Sequence, residues 1–216
     1  MMNESQLLQE QLIISKNVKK ENFIDFKTIM GFDVAYFDSK AICFGILMDN
    51  NLNIIERKYV IEKVDFSYKP GFFAFREGPL ILNTFNLFNK FGDVIMVEGH
   101  GLSHPRDVGL ACYVGVKLDR ATIGIAKNLL VGDVDNGKVY YDSNLVGEEL
   151  YSREHSNPIY VSIGNKITLD KAVKIVKKCT KWPHKLPEPL YLAHKCANKI
   201  KKNLNNVDNE YRKTYI

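Results

Sequence analysis

The 216-residue chain is 45% hydrophobic, enough for a sizeable core in one domain spanning 1–216, and its longest apolar run, Ala41 to Met48, is too short to cross a membrane. Its polar start lacks a signal-peptide profile and its four cysteines (43, 112, 179 and 196) show no CxxC spacing, so a soluble, cytoplasmic protein with reduced thiols is expected and a zinc site is not. The net charge of +5 is uneven: residues 166–216 hold 13 Lys or Arg against 4 Asp or Glu, and residues 1–165 hold 17 against 21.

In chain order, residues 1–22 read as an N-terminal helix or arm, with Leu7, Leu8, Leu12, Ile13 and Val18 apolar in a loose helical pattern over 4–20. Ile29 to Phe37 alternates as a strand, with Met30, Phe32, Val34 and Tyr36 on one face. Asp33 falls on the other face, between the small residues Gly31 and Ala35. A buried carboxylate there must be paired, hydrogen-bonded, neutralised or metal-bound, because leaving it bare costs several kcal/mol. Ala41 to Met48 and Ile54 to Ile61 join at Asp49-Asn50-Asn51 and complete an antiparallel meander of three strands. Residues 66–71 form a loop with an aromatic and a proline at its tip. Pro79 marks the first turn of a helix to about Phe91, with Glu77 just before it, where dipole compensation is the plain explanation of its charge.

Val94 to Val97 is a short strand buried on both faces, and Glu98 stands at its carboxyl end. Gly99-His100-Gly101 turns tightly, and His104-Pro105 opens a helix with Asp107 in its first turn. Thr122 to Ala126 is another strand, ending at Lys127. Asn136-Gly137 is a hairpin turn from which Lys138 to Tyr141 returns. Ile159 to Ile163 is a strand followed by a polar loop, 162–166. Thr168 caps a helix with Leu169, Ala172, Val173, Val176 and Cys179 inside and Lys171, Lys174, Lys177 and Lys178 outside. The last helix starts at Leu186-Pro187-Glu188-Pro189, carries Leu190, Ala193, Ala197, Ile200 and Leu204 on its inner stripe with His194 at the border, and gives way to a polar tail at 205–216.

Three antiparallel strands, a helix, then alternating strands and helices describe an α/β protein with a mixed sheet flanked by helices, and no Gly-rich dinucleotide or P-loop fingerprint is present. Asp33, Glu77 and Glu98 fall where a sheet edge could gather them. If the first and fourth strands are parallel neighbours, Asp33 and Glu98 face one another. Hard oxygen ligands suit Mg²⁺ or Mn²⁺. A basic C-terminal region beside an acidic remainder suits a polyanion laid across that cluster, although a solvated lysine-rich surface accounts for the same charges.

At this point the chain resembles the endonuclease V family. The resemblance is carried by GFDVAY (31–36), YKPGFFAFREGP (68–79), VEGHGLSHPRDVGLACYVGV (97–116), TIGIAKNLL (122–130), PIYVSIGNKITLDKAV (158–173) and LPEPLYLAH (186–194). It implies a ribonuclease-H-like fold in a monomer. It also implies magnesium-dependent hydrolysis, with Mn²⁺ as a substitute, of the second phosphodiester bond 3′ to inosine in DNA or RNA, initiating repair. Asp33 and Glu77 match the family's metal-binding carboxylates. Glu98 falls on the third, where the family pattern DGHG reads here as EGHG. His104 and Lys127 match active-site positions, and His194 matches a position near the metal.

Tyr68 falls in the family's Pro-Tyr-x-Pro wedge, written here Ser67-Tyr68-Lys69-Pro70, so that Lys69, Pro70 and Gly71 are expected substrate contacts. By the same resemblance Gly99, His100 and Gly101 form part of the pocket for the altered base. Two other readings use the same residues. One is a catalytically weakened inosine- or nucleic-acid-binding module, in which Glu98 spoils the metal geometry. The other is a ribonuclease-H-like nuclease that reads structure rather than a lesion.

Overall fold

The computed structural model describes residues 2–21, 25–153 and 155–214, with 206–214 as backbone alone. After the helix α1 (Glu4–Asn17) come three strands, β1 (Thr28–Phe37), β2 (Lys40–Asp49) and β3 (Ile54–Lys63), which pair antiparallel as the expected meander. The turn between β2 and β3 is set by Asp49, whose Oδ1 accepts the backbone N–H groups of Asn51 and Asn53 at 2.9 and 2.8 Å. Beyond the helix α2 (Phe73–Phe85), β4 (Val94–Glu98) joins β1 in parallel, and after α3 (Leu110–Leu118), β5 (Ala121–Ala126) joins β4 in parallel. The short strands β6 (Asp133–Asp135) and β7 (Lys138–Tyr141) form the hairpin at Asn136-Gly137, where both residues have positive φ, 48° and 77°. With β8 (Asn144–Leu150) and β9 (Ile159–Asn165) they complete one nine-stranded sheet in the order β3-β2-β1-β4-β5-β9-β8-β7-β6.

The core lies on both faces of this sheet. Phe32 is fully buried and its ring meets Phe85 and Phe88 at 6.5 and 6.1 Å between centroids, which docks α2 on one face. On the other face the long helix α5 (Glu188–Thr214) lies against β1 at Gly31. The helix α4 (Leu169–Cys179) buries Leu169, Ala172, Val173, Ile175, Val176 and Cys179 and leaves Lys174, Lys177 and Lys178 exposed, as its amphipathic spacing requires. The expected ribonuclease-H-like mixed sheet flanked by helices is present. Among the described residues no helix is long and apolar enough to cross a membrane, and all four cysteines are free, Cys196 being only half-buried.

Several element boundaries differ from the sequence reading. The helix expected to start at Pro79 begins at Phe73, so Pro79 lies inside α2 and Glu77 is a helical residue rather than one before a cap. Tertiary packing overrides the local proline signal: Phe72 and Ala74 are buried, and Phe75 packs edge-on against Tyr113 of α3 at 5.6 Å. That packing offsets a proline cost of ~3 kcal/mol. The helix expected at His104-Pro105 starts at Leu110 instead, because Asp107 takes a left-handed conformation with φ of 54° and Gly109 is the cap.

Between those points the loop is fixed by backbone bonds, Gly109 N–H to Gly101 O at 2.9 Å and Leu102 N–H to Ile163 O at 2.8 Å. The expected polar loop at 162–166 is largely the continuation of β9, which runs to Asn165. The strand β8 was not anticipated, since its sequence NLVGEEL alternates poorly. α1 presents Leu7, Gln11 and Ile14 to the core, spaced i, i+4 and i+7, while the apolar Leu8, Leu12 and Ile13 are exposed. Helical backbone continues through 205–214, the segment read as a polar tail; Met1, residue 22 and the tail's last two residues lie outside the described residues.

Candidate active site

Asp33 is 6% exposed at the middle of β1. Its neighbour Gly31 has no room for a side chain, since a Cβ there would lie 2.4 Å from the Pro189 carbonyl carbon. That close approach carries the first turns of α5 over the strand and places His194 Nδ1 2.9 Å from Asp33 Oδ2. The hydrogen bond to Asp33 holds the His194 imidazole above its usual range. Asn198, one turn further along α5, donates to the His194 carbonyl at 2.9 Å and lies 3.3 Å from its Nε2.

Glu98 reaches the same point from β4. The parallel register pairs Phe32 with Val97, so Asp33 and Glu98 are the next residues along and converge where β4 ends beside the middle of β1. Glu98 Oε1 pairs with Lys127 Nζ at 2.5 Å, the lysine standing just past the end of β5. Oε2 is buried, lies 3.8 Å from His194 Nδ1, and accepts no hydrogen bond among the described residues. Burial and the nearby Asp33 charge push the Glu98 carboxyl upward, against the pull of Lys127. One ligand atom each from Asp33, Glu98 and His194 falls within 4.8 Å of the others, a grouping able to hold a metal ion.

Glu77 stands beside this group rather than in it. Its Oε1 accepts a hydrogen bond from Tyr36 OH at 3.0 Å, and Arg76 Nε donates to the same hydroxyl at 3.0 Å while its guanidinium lies 4.5 Å from the Tyr36 ring centre. Burial first, and then the charges of Asp33 and Glu98, push the Glu77 carboxyl up to about 8. Tyr36 and Arg76 were not singled out from the sequence. The only available signal was the position of Arg76 next to Glu77 in the segment FREGP.

A cleft of about 420 Å³ opens beside the carboxylates. Glu98, Gly99, His100, His104 and Lys127 line it together with Tyr68 and Gly71. Tyr68 is 65% exposed. Burial lowers both histidines to about 4, so each is a neutral imidazole at neutral pH. His104 Nδ1 accepts the Arg106 backbone N–H at 3.2 Å, while His100 Nδ1 is buried without a partner among the described residues.

Not every expected pocket residue is on the wall. Gly101 donates its N–H to Ser162 Oγ at 2.8 Å and presses against β9, where a Cβ would meet Ile163 O at 1.9 Å. Lys69 turns away to Glu4 at 2.6 Å, and Pro70 beside it is exposed. Asn128 and Leu130 line the cleft and were missed, although both fall in the segment TIGIAKNLL.

A family model described as Endonuclease V matches residues 6–195. Endonuclease V of Thermosipho melanesiensis is 37% identical over 211 residues, covering 94% of this chain and 91% of that protein. Endonuclease V from Bacillus subtilis has a TM-score of 0.89 at 27% identity, over 95% of each chain. The fold is shared also with Ciona intestinalis endonuclease V, solved in complex with a 23mer DNA containing an inosine followed by a ribo-adenosine, at a TM-score of 0.84, 24% identity and coverage of 94% of this chain and 100% of that one. With the family model spanning most of its length and a relative matched almost end to end, the chain belongs to the endonuclease V family.

Proposed function

We propose that this protein is a metal-dependent endonuclease that recognises inosine in nucleic acid and hydrolyses the second phosphodiester bond 3′ to it, initiating repair of the deaminated base. The observation that carries the reading is the convergence of Asp33, Glu98 and His194 beside a cleft lined by two neutral histidines and an exposed tyrosine. The family membership supports nuclease chemistry. The inosine-containing DNA bound by the Ciona relative supports the choice of lesion.

The residues fit a hard divalent cation. Glu98 Oε2 is a buried, unpartnered carboxylate oxygen, a costly state that a cation would relieve. Asp33 and Glu98, which converge with His194, would hold Mg²⁺, with Mn²⁺ as a substitute and Glu77 beside them as the third carboxylate, because carboxylate donors without thiolates favour those ions. When bound, the ion neutralises charge on the scissile phosphate and lowers the pKa of an attacking water. His194, fixed by Asp33, orients that site, and Lys127 presents its ammonium to the phosphate. Tyr68 enters the stack beside the lesion, offsetting an unstacking cost of a few kcal/mol while the base swings out. His100, His104 and the Gly99 backbone read the base edge with neutral donors and acceptors. DNA and RNA are both admitted as substrates. The free, mostly buried thiols agree with a cytoplasmic setting, and a monomer provides every group invoked.

The deciding assay uses labelled single- and double-stranded oligonucleotides, DNA and RNA, with and without one inosine, in Mg²⁺ and in Mn²⁺. A cut at the second bond 3′ to inosine bears the reading out. Equal cutting without inosine would replace it with a structure-reading nuclease. A second reading, a binding module with weakened catalysis, is favoured by one observation: Glu98 Oε1 is already engaged by Lys127. Binding to inosine without cleavage would select it.

A further inference from the structure

The buried face of α1 carries a polar residue in its centre. Gln11 is 1% exposed, and a buried amide must satisfy both its donor and its acceptor. It does so on two partners outside its own helix. Its Nε2 donates to Gly71 O at 2.7 Å, and its Oε1 accepts from Arg106 Nε at 2.6 Å. Arg106 Nη2 donates to the same Gly71 carbonyl at 2.6 Å, closing a triangle, and its guanidinium lies 4.8 Å from the Phe72 ring centre. Gly71 is shaped for this contact: its φ is 76°, and a Cβ would stand 2.5 Å from Arg106 Nη2. A second tie runs from Lys69 to Glu4 at the start of α1, at 2.6 Å.

These bonds grip the residues that follow Tyr68, whose own side chain lines the cleft and is 65% exposed. They also reach the cleft wall, because the Arg106 backbone N–H donates to His104 Nδ1 and so leaves the proton of that neutral ring on Nε2. α1 therefore holds the Tyr68 loop at two points and, through Arg106, the tautomer of a cleft histidine.

We propose that Gln11 and Arg106 are positioning residues, a clamp through which the N-terminal helix fixes the Tyr68 loop against the cleft and thereby sets how well the protein opens duplex, as opposed to single-stranded, substrate. This rests on the inosine endonuclease reading above. A single strand has no partner to be displaced, so a slack loop harms it little. In a duplex the tyrosine must enter the stack at one place, and a ~1 Å misplacement can cost ~10²-fold in rate. The plain alternative is that these bonds only anchor α1 to the core, which would lower stability without changing the choice of substrate.

The test compares kcat/KM on matched single-stranded and duplex inosine oligonucleotides for the full chain and its Gln11→Met, Arg106→Lys and Glu4→Gln variants. The Glu4 side chain is 59% exposed, so its variant retains the fold whatever the others do. The expected result is a duplex rate falling about ten-fold more than the single-strand rate in Gln11→Met and Arg106→Lys, with a smaller shift of the same sign in Glu4→Gln. Adding Gln11→Met to Tyr68→Ala should lower the duplex rate no further, since both act through one ring. Equal losses on both substrates in all three variants, or full additivity with Tyr68→Ala, overturns the clamp. If the wild type cuts neither substrate, the functional reading fails instead. Amide exchange across 66–72 then decides the clamp alone, and unchanged exchange in Gln11→Met rejects it.

Discussion

His194 and Asp33 are separated by 161 positions and joined by a 2.9 Å hydrogen bond, which exists only because Gly31 lets α5 settle on β1. The contact couples the last helix to the first strand at the one buried carboxylate of that strand. Its sign is definite: the bond favours the charged imidazole, so His194 is held above its usual range and an Asp33 carboxylate is its counter-charge.

Replacing Asp33 by Asn keeps the shape and removes that charge. Cleavage of inosine oligonucleotides should fall by ~10²-fold or more, the scale of losing one electrostatic group from a reacting centre, while binding changes little because the surface lysines are untouched. His194 should titrate lower in Asp33→Asn than in wild type by proton NMR. Undiminished cleavage would remove Asp33 from the site.

Glu77 gives a pH prediction for the metal-free protein. Its carboxyl sits near 8 in the fold against an ordinary 4.5, so between those values the unfolded chain releases a proton that the folded chain keeps. Stability is therefore fully present below pH 4.5 and is lost as pH rises from there through 8, by an amount on the order of 5 kcal/mol for a shift of this size. Glu77→Gln should flatten that fall and raise Tm at pH 8 relative to pH 6, read by thermal melts in chelator. Mg²⁺ should raise Tm more in wild type than in Glu77→Gln. A wild-type melting profile already flat from pH 5 to 8 would contradict the buried, proton-retaining carboxyl.

Much of this site was legible because two of its carboxylates sit on strands with clear patterns. Alternation placed Asp33 among small residues, and the apolar run before Glu98 fixed it at the end of a parallel strand, so their meeting followed from strand order. His194 lay on a helix whose docking depends on Gly31, and only the family resemblance singled it out. The helix starts at Pro79 and His104 were misplaced because local proline rules carry a few kcal/mol at most and yield to aromatic packing and to a loop held by backbone bonds to Gly101 and Ile163. Gln11 and Arg106 were invisible as a pair, since a 95-residue separation leaves no periodic trace.

Glu98→Asp separates the two functional readings. The longer glutamate spans from Lys127, at 2.5 Å, to the neighbourhood of Asp33 and His194. Shortening it by one methylene withdraws the carboxylate by more than ~1 Å from one partner or the other. For an active enzyme adapted to glutamate, kcat should drop by up to ~10²-fold and Mg²⁺ affinity by calorimetry should change with it. A gain of cleavage in Glu98→Asp over a silent wild type would instead identify a binding protein with a spoiled metal site.

Tyr68 is the last group whose role can be isolated, because its ring is exposed and removing it leaves no cavity in the core. Tyr68→Ala should leave Tm within about 0.5 kcal/mol equivalent of wild type, as for other surface changes. Binding to duplex inosine should weaken by ~1–3 kcal/mol, roughly five-fold to a hundred-fold, the usual worth of one aromatic–base stack. Binding to a single strand should weaken less, since no neighbouring pair must be held open. Tyr68→Phe should restore duplex binding, because stacking uses the ring face and not the hydroxyl. Equal losses on both substrates would count against the strand-opening role, and a phenylalanine that fails to rescue would mean that the hydroxyl rather than the ring makes the contact.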